Sequence, residues 1–412
     1  MGFNTDALHT GVVRDKSFGA TLTPIYQVSA FAYDSMETLE KVFAGTAAGF
    51  AYTRIGNPTV AAFESRIAAL EHGFGAVATA SGMSAISQGL LNFLSSGDEV
   101  IASTGLYGGT IQLFTLLRQL GITVRYAAEL TPAALEALCT ERTKAVFVEV
   151  IANPSLQIVD LATVAAFAHE KRLPFIADNT TATPFLVTPL DWGADIVIHS
   201  SSKYINGSSD AISGVIVDSG RFAWDFDRYP ALRAYQQFGK LAYLTRLRKD
   251  AEASLGGCLA PMNAYLNLIG LETLGLRMER ICTNARALAE ALAQLDGVTV
   301  NYPLLDGNPN AARAQKQLNG YGGGILTLRA GSKEKAFAII NSLRCATIAS
   351  NIGDVRTLVL CPATTLYLHN TADEMHAAGV FDDTIRVSVG IEDAADLIAD
   401  FTTAIARQQE AH

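Results

Sequence analysis

A lysine that closes an apolar run is the first group in this chain whose surroundings could do chemistry. Ile196 to His199 read as a buried strand, the hydroxyls of Ser200, Ser201 and Ser202 follow, and then comes Lys203. An amine at the end of a buried strand loses water and gives up its proton more easily, and a neutral amine is what imine formation with an aldehyde requires. A solvent-facing loop lysine is the alternative reading. Upstream, Leu173 to Ala177 form a second apolar run that ends in Asp178. A carboxylate there can hold a proton on a ring nitrogen, although a helix N-cap is the commoner role. Thr79 to Ser84 lead through Ser81, Gly82 and Met83 into a helical pattern, whose first backbone amides make a ready anion site. In Gly105 to Thr110, Tyr107 stands among glycines and can lie flat against a planar ligand or fill a core.

Together these groups suit a pyridoxal-type cofactor, in which a carboxylate keeps the ring nitrogen protonated so that the ring can accept electrons. The elements that must position them are legible in the same pattern. Short apolar runs at 76–80, 99–102, 123–126, 145–150, 174–177, 196–199 and 214–217 alternate with helical segments, the signature of a three-layer α/β domain with a mainly parallel sheet. Ligands of such sheets gather where strands end. Residues 1–60, broken by Gly and Pro, read as an extended arm contacting a neighbouring subunit rather than a packed unit. Residues 61–257 read as the α/β domain. From 258 to 412, a long helical stretch from Pro261 to Leu292 bridges into a smaller α+β domain, with strands at 324–328 and 384–389 and helices at 333–343 and 394–406.

Composition narrows the partners. Hydrophobic residues make up 49% of the 412, enough to bury sizeable cores and to exclude a disordered chain. The formal charge of −9 has the wrong sign for nucleic acid. Cys139, Cys258, Cys282, Cys345 and Cys361 form no CxxC pair, so neither a disulfide framework nor a metal site is expected, and a reducing cytoplasm is the expected compartment. No signal peptide and no apolar run of membrane-spanning length is read in the sequence.

At the level of motifs the chain resembles the Cys/Met-metabolism family of pyridoxal-phosphate enzymes. The likeness runs through Thr23 to Gln27, Tyr52 to Thr59, Ser81 to Met83, Leu106 to Gly109, Glu149 with Asn153 and Pro154, Asp178 to Thr180, Ser200 to Tyr204, Gly270 to Leu274 and Ile385 to Glu392. It implies an aminotransferase-like fold of type I with pyridoxal 5′-phosphate as cofactor. In that likeness Lys203 is the Schiff-base lysine and proton shuttle, Asp178 the pyridine-nitrogen partner and Tyr107 the stacking ring. Ser81, Gly82, Met83, Ser200 and Ser202 hold the phosphate, Tyr52 and Arg54 reach it from a neighbouring subunit, Asn153 lies near the ring hydroxyl, and Arg386 clamps the substrate carboxylate. Tyr52 and Asn153 also border the substrate. The resemblance further implies a homotetramer built from dimers.

Within the family the sulfhydrylase branch is the nearest likeness, through Leu106 to Thr110, Gly214 to Phe222, Glu272 to Glu279 and Asn351 to Asp354. It implies γ-replacement on O-acetyl-L-homoserine by sulfide or a small thiol, in methionine biosynthesis. A C–S lyase or a cystathionine γ-synthase-like transferase is the alternative, and Gly109, where methionine γ-lyases usually carry cysteine, disfavours the lyase. Three departures stand out: Ser202 replaces the usual Thr, Asn206 to Ser209 replace a Gly-Gly-His pattern, and Leu366 to His369 follow Pro362 to Thr365 where sulfhydrylases tend to have Thr-Thr-His after Pro-Ala. The last two lie where the resemblance places substrate recognition.

Overall fold

A computed structural model describes residues 1–368 and 370–410; His369, the last of the departing residues, lies outside them. The large sheet comprises β1 (Gly75–Thr79), β2 (Glu99–Ser103), β3 (Thr123–Ala127), β4 (Thr143–Glu149), β5 (Phe175–Asp178), β6 (Ile196–His199) and β7 (Gly214–Asp218). Their order is β1-β7-β6-β5-β4-β2-β3, and β7 alone runs against its neighbours.

The strands are apolar throughout because both faces are covered. Successive side chains of a strand point to opposite faces, and here they enter two separate cores. Val146 and Val148 join the one that contains Val60, Phe63 and Ile67 of helix α3 (Pro58–Leu70). Ala145 and Phe147 join the other, which contains Ile86 and Leu90 of α4 (Gly82–Leu91) and Phe114 and Leu117 of α5 (Gly108–Gln119). This is the expected three-layer arrangement.

The smaller sheet contains β8 (Thr299–Asn301), β9 (Ile325–Arg329), β10 (Thr347–Ile348), β11 (Leu358–Leu360) and β12 (Thr384–Ser388), in the order β10-β11-β12-β9-β8. The stretch read as one bridging helix is two, Pro261–Glu272 and Leu274–Leu292, separated at Thr273. The second does bridge: Met278 and Ile281 lie in a core of the large sheet, whereas Ala285, Leu288 and Leu292 lie in the third core with Leu326, Val387 and Phe401.

The N-terminal segment differs from a uniformly extended arm. Helix α1 (Phe3–His9) buries Ala7 in the large domain's core and sets Phe3 edge-on to Phe185 at 5.3 Å. Helix α2 (Met36–Phe43) is capped by Ser35 and buries none of its residues. Short helices of seven and eight residues give too few turns for a sequence period to stand out, and α1 forms because it has a surface to pack on.

No helix among the described residues is long and apolar enough to cross a membrane.

Candidate active site

The strand register brings the chemistry together. Glu149 and Asp178 are direct neighbours at the carboxyl ends of β4 and β5, and Asp178 pairs with Ile198 of β6. The chain leaves β6 through a turn whose fourth residue is Lys203, and the backbone near Gly353 closes over it. A side-chain carbon at Gly353 would sit 2.5 Å from the Tyr204 nitrogen, with φ at +75°, so only glycine suits this approach. The resulting cavity, about 200 Å³ and partly open to solvent, is lined by Ser81, Met83, Tyr107, Asp178, Lys203 and Arg386 among others.

Enclosure sets the electrostatics. Burial, then repulsion from Arg386, lowers the Lys203 amine to about 8, so a substantial neutral fraction exists near neutral pH. Burial raises Asp178, against hydrogen bonds from Thr180 and the nearby His199. The Thr180 N–H donates to Asp178 Oδ1 at 2.9 Å, so the aspartate is tied to its own turn, and it lines the cavity. Glu149 is pushed well above the usual carboxylate range by burial and by Asp178, against amides of Tyr107 and Asn153; the Tyr107 N–H donates to it at 2.7 Å. Arg386, from the centre of the small sheet, is 3% exposed, and burial lowers it to about 10. Its Nη2 donates to the Asn351 carbonyl at 2.9 Å and its Nη1 lies 3.4 Å from Asn153 Oδ1. Its Nε has no partner among the described residues, so a buried cation here has bonding capacity left for an anion.

A second anion position lies at the start of α4. Ser81 caps the helix by accepting from the Ser84 N–H at 3.0 Å, which leaves the amides of the first turn directed outward. Ser200 closes on it, since a side-chain carbon at Gly82 would lie 2.8 Å from Ser200 Oγ. Ser202 is buried beside them, with its hydroxyl donating to the Ser213 carbonyl at 3.0 Å and accepting from the Ser213 N–H at 2.8 Å. Tyr107 is no core tyrosine: it is 42% exposed and borders the cavity. A side-chain carbon at Gly109 would come within 2.5 Å of its ring, so glycine there leaves the ring room.

Lys203, Asp178, Tyr107, Ser81, Gly82, Met83, Asn153, Ser200, Ser202 and Arg386 thus line one cavity. Tyr52 and Arg54 do not; they are exposed on this chain, with Arg54 over the Tyr52 ring at 5.5 Å and bonded to the Ala253 carbonyl. Among the lining residues that received no role from the sequence are Glu149, and Asn351, whose Oδ1 accepts from Lys203 Nζ. Glu149 ends a strand beside Asp178 and could have been found by aligning the two strand ends. Asn351 is brought in by the other domain; the sequence places it in the Asn351 to Asp354 motif but assigns it no role.

The family model for the Cys/Met metabolism PLP-dependent enzymes matches residues 4–406. The chain belongs to that family. It is 40% identical to a homocysteine synthase of Schizosaccharomyces pombe, covering 98% of each chain, and 39% identical to O-acetyl-L-homoserine sulfhydrylase 1 of Thermus thermophilus, covering 98% of this chain and 100% of that one. Among solved structures, an O-acetylhomoserine (thiol)-lyase of Campylobacter jejuni bearing an N′-pyridoxyl-lysine 5′-monophosphate superposes with a TM-score of 0.92 at 33% identity, over 98% of this chain and 100% of that one. The fold is therefore the family's, and the enzyme is pyridoxal-phosphate dependent. Its residues fit that group: an amine with a weakened hold on its proton, a carboxylate at the adjacent strand end and a helix start flanked by serines occupy one cavity.

Proposed function

We propose that the enzyme replaces the acetoxy group of O-acetyl-L-homoserine with sulfide or a small thiol, giving homocysteine or a thioether and acetate. The observation that carries this reading is the cavity of Lys203, which brings together an amine with a weakened hold on its proton, Asp178 and a guanidinium with an N–H unpaired among the described residues. The names of the fission-yeast, Thermus and Campylobacter proteins support the acyl donor and the product.

Pyridoxal 5′-phosphate, when bound, supplies an electron sink that acidifies the substrate's Cα and Cβ hydrogens. Lys203 Nζ accepts the Cα proton and later returns it. Arg386 holds the α-carboxylate with its fork and so fixes which bond at Cα faces the lysine. Asp178 keeps the ring nitrogen protonated. Tyr107 would stack on the ring, Asn153 would interact with the ring hydroxyl, and Ser81, Gly82, Met83, Ser200 and Ser202 would hold the phosphate. The Ser202 hydroxyl can donate to it only by releasing the Ser213 carbonyl. In the net exchange the Cγ–O bond breaks with its electron pair on acetate, and the sulfur pair forms the Cγ–S bond as the thiol loses its proton.

Tyr52 and Arg54 of one copy complete the phosphate site of another, within a homotetramer built from dimers. Their exposure and the exposed apolar residues Phe18, Met36 and Phe43 nearby in the sequence support this assembly. Five free cysteines support a reducing cytoplasm as the place of action.

Product analysis with O-acetylhomoserine tests the reaction. Homocysteine formed only when sulfide is present supports it; keto acid formed equally well without sulfide moves the enzyme to the C–S lyases.

A further inference from the structure

We infer that Ser209 is a positioning residue: it fixes the side-chain amide of Asn351 with its oxygen toward Lys203, giving the lysine a docking site whenever its amine is not joined to the cofactor. The inference rests on Lys203 being the cofactor lysine. It is carried by a directed chain of hydrogen bonds between the two domains. Lys203 Nζ donates to Asn351 Oδ1. Asn351 Nδ2 donates to Ser209 Oγ at 2.8 Å, and the Ser209 hydroxyl donates to Asp354 Oδ2. Asp354 is buried and receives Arg356 Nε at 2.9 Å and Arg356 Nη2 at 3.1 Å.

The direction of this chain is not arbitrary. An ionised carboxylate only accepts, and a serine hydroxyl has one proton. Burial works to raise Asp354, but hydrogen bonds from Arg356 and then Ser209 hold it below the usual carboxylate range. The Ser209 proton therefore goes to Asp354, and Ser209 must accept from its other neighbour. Only the NH2 end of the Asn351 amide can donate, so the amide oxygen is left facing the lysine. Without Ser209 the amide could turn over and set its NH2 against the amine. Ser209 holds a φ of +58°, a conformation an L side chain rarely adopts without a reason, and it belongs to the Asn206 to Ser209 segment that departs from the family pattern.

An amide oxygen facing Lys203 stabilises its charged form, and an NH2 group would oppose it. The other charged or titratable groups of the cavity are Arg386, Asp178, Glu149 and Tyr107, with Asp354 and Arg356 behind Ser209; of these only Asp354 is bonded to the Ser209 hydroxyl.

The test is Ser209→Gly, since glycine suits the backbone there and removes only the hydroxymethyl group. Cofactor-stripped protein is mixed with pyridoxal 5′-phosphate across a pH series and the return of visible absorption is timed. The variant's rate should rise through its inflection at lower pH than wild type, its kcat should fall about threefold to tenfold with KM changed less than about twofold, and its melting temperature should not fall. An inflection and kcat equal to wild type would overturn the inference. Asn351→Asp should move the inflection to higher pH; no movement would show that residue 351 does not face the lysine and would equally overturn it. Lys203→Ala separates the underlying reading: if that variant regains the wild-type absorption, the assignment of Lys203 fails, whatever Ser209 does.

Discussion

The strand-end cavity and the segment from residue 11 to residue 57 are built on opposite terms. Around Lys203 the polar groups are enclosed and tied to one another across both domains: Glu149 to the Tyr107 amide, Arg386 to the Asn351 carbonyl, Lys203 to the Asn351 amide. In the N-terminal segment Phe18 is 95% and Met36 72% exposed, and Arg54 reaches only a backbone carbonyl and the Tyr52 ring. One region is completed by this chain's own packing; the other leaves large apolar side chains exposed, which fits the proposed assembly of several copies.

Substitutions can break or sharpen that contrast. The largest effect belongs to Lys203→Ala, which should abolish the visible absorption of the lysine-bound cofactor and lower kcat/KM by about 10³-fold or more; normal absorption would remove the cavity from the reaction. Asp178→Asn should keep the absorption but cost about 10²–10³-fold in kcat, measured by homocysteine formation. Arg54→Ala probes the other region. It should weaken cofactor retention about tenfold in equilibrium dialysis, the loss of one charge-assisted hydrogen bond, with the chain's fold intact by circular dichroism. Unchanged retention would leave the N-terminal segment outside the site.

The smallest effect on turnover belongs to Glu149→Gln. Burial, then Asp178, push this carboxyl well above the usual carboxylate range, which favours its neutral form, so an amide of the same shape should change kcat/KM at neutral pH by less than about threefold. Stability should show the difference. The folded chain keeps a proton that the unfolded chain releases, so the stabilisation is complete below the ordinary glutamate value of 4.5 and is lost as pH rises from there toward the folded value. The melting temperature of wild type should therefore decline over that range more than that of Glu149→Gln.

Much of this site could be read before any fold was known, because its anchors are local. Lys203 and Asp178 end apolar runs, and a strand followed by polar groups declares which end carries the chemistry. Ser81 to Met83 announced a helix start, and α4 begins there with Ser81 as its cap. The helix α1 was not legible, since seven residues carry too little periodicity and its stability comes from packing on the large domain. The break at Thr273 was hidden for a related reason: the apolar positions continue at helical spacing, Leu268 and Leu271 before it and Leu274 and Met278 after it entering the same core.

The sequence by itself determined the strand pattern, the cofactor and most of the residues that line the strand-end cavity, because those depend on residue types at the ends of short, strongly apolar segments. Only the tertiary structure decided that Glu149 is buried beside Asp178, with its pKa raised by both, that Arg386 crosses from the small sheet with an N–H unpaired among the described residues, and that Asn351 and Ser209 face each other beside Lys203. These are relations between residues far apart in the chain. Strand register and domain packing create them, and burial then changes the proton affinities of the groups they bring together.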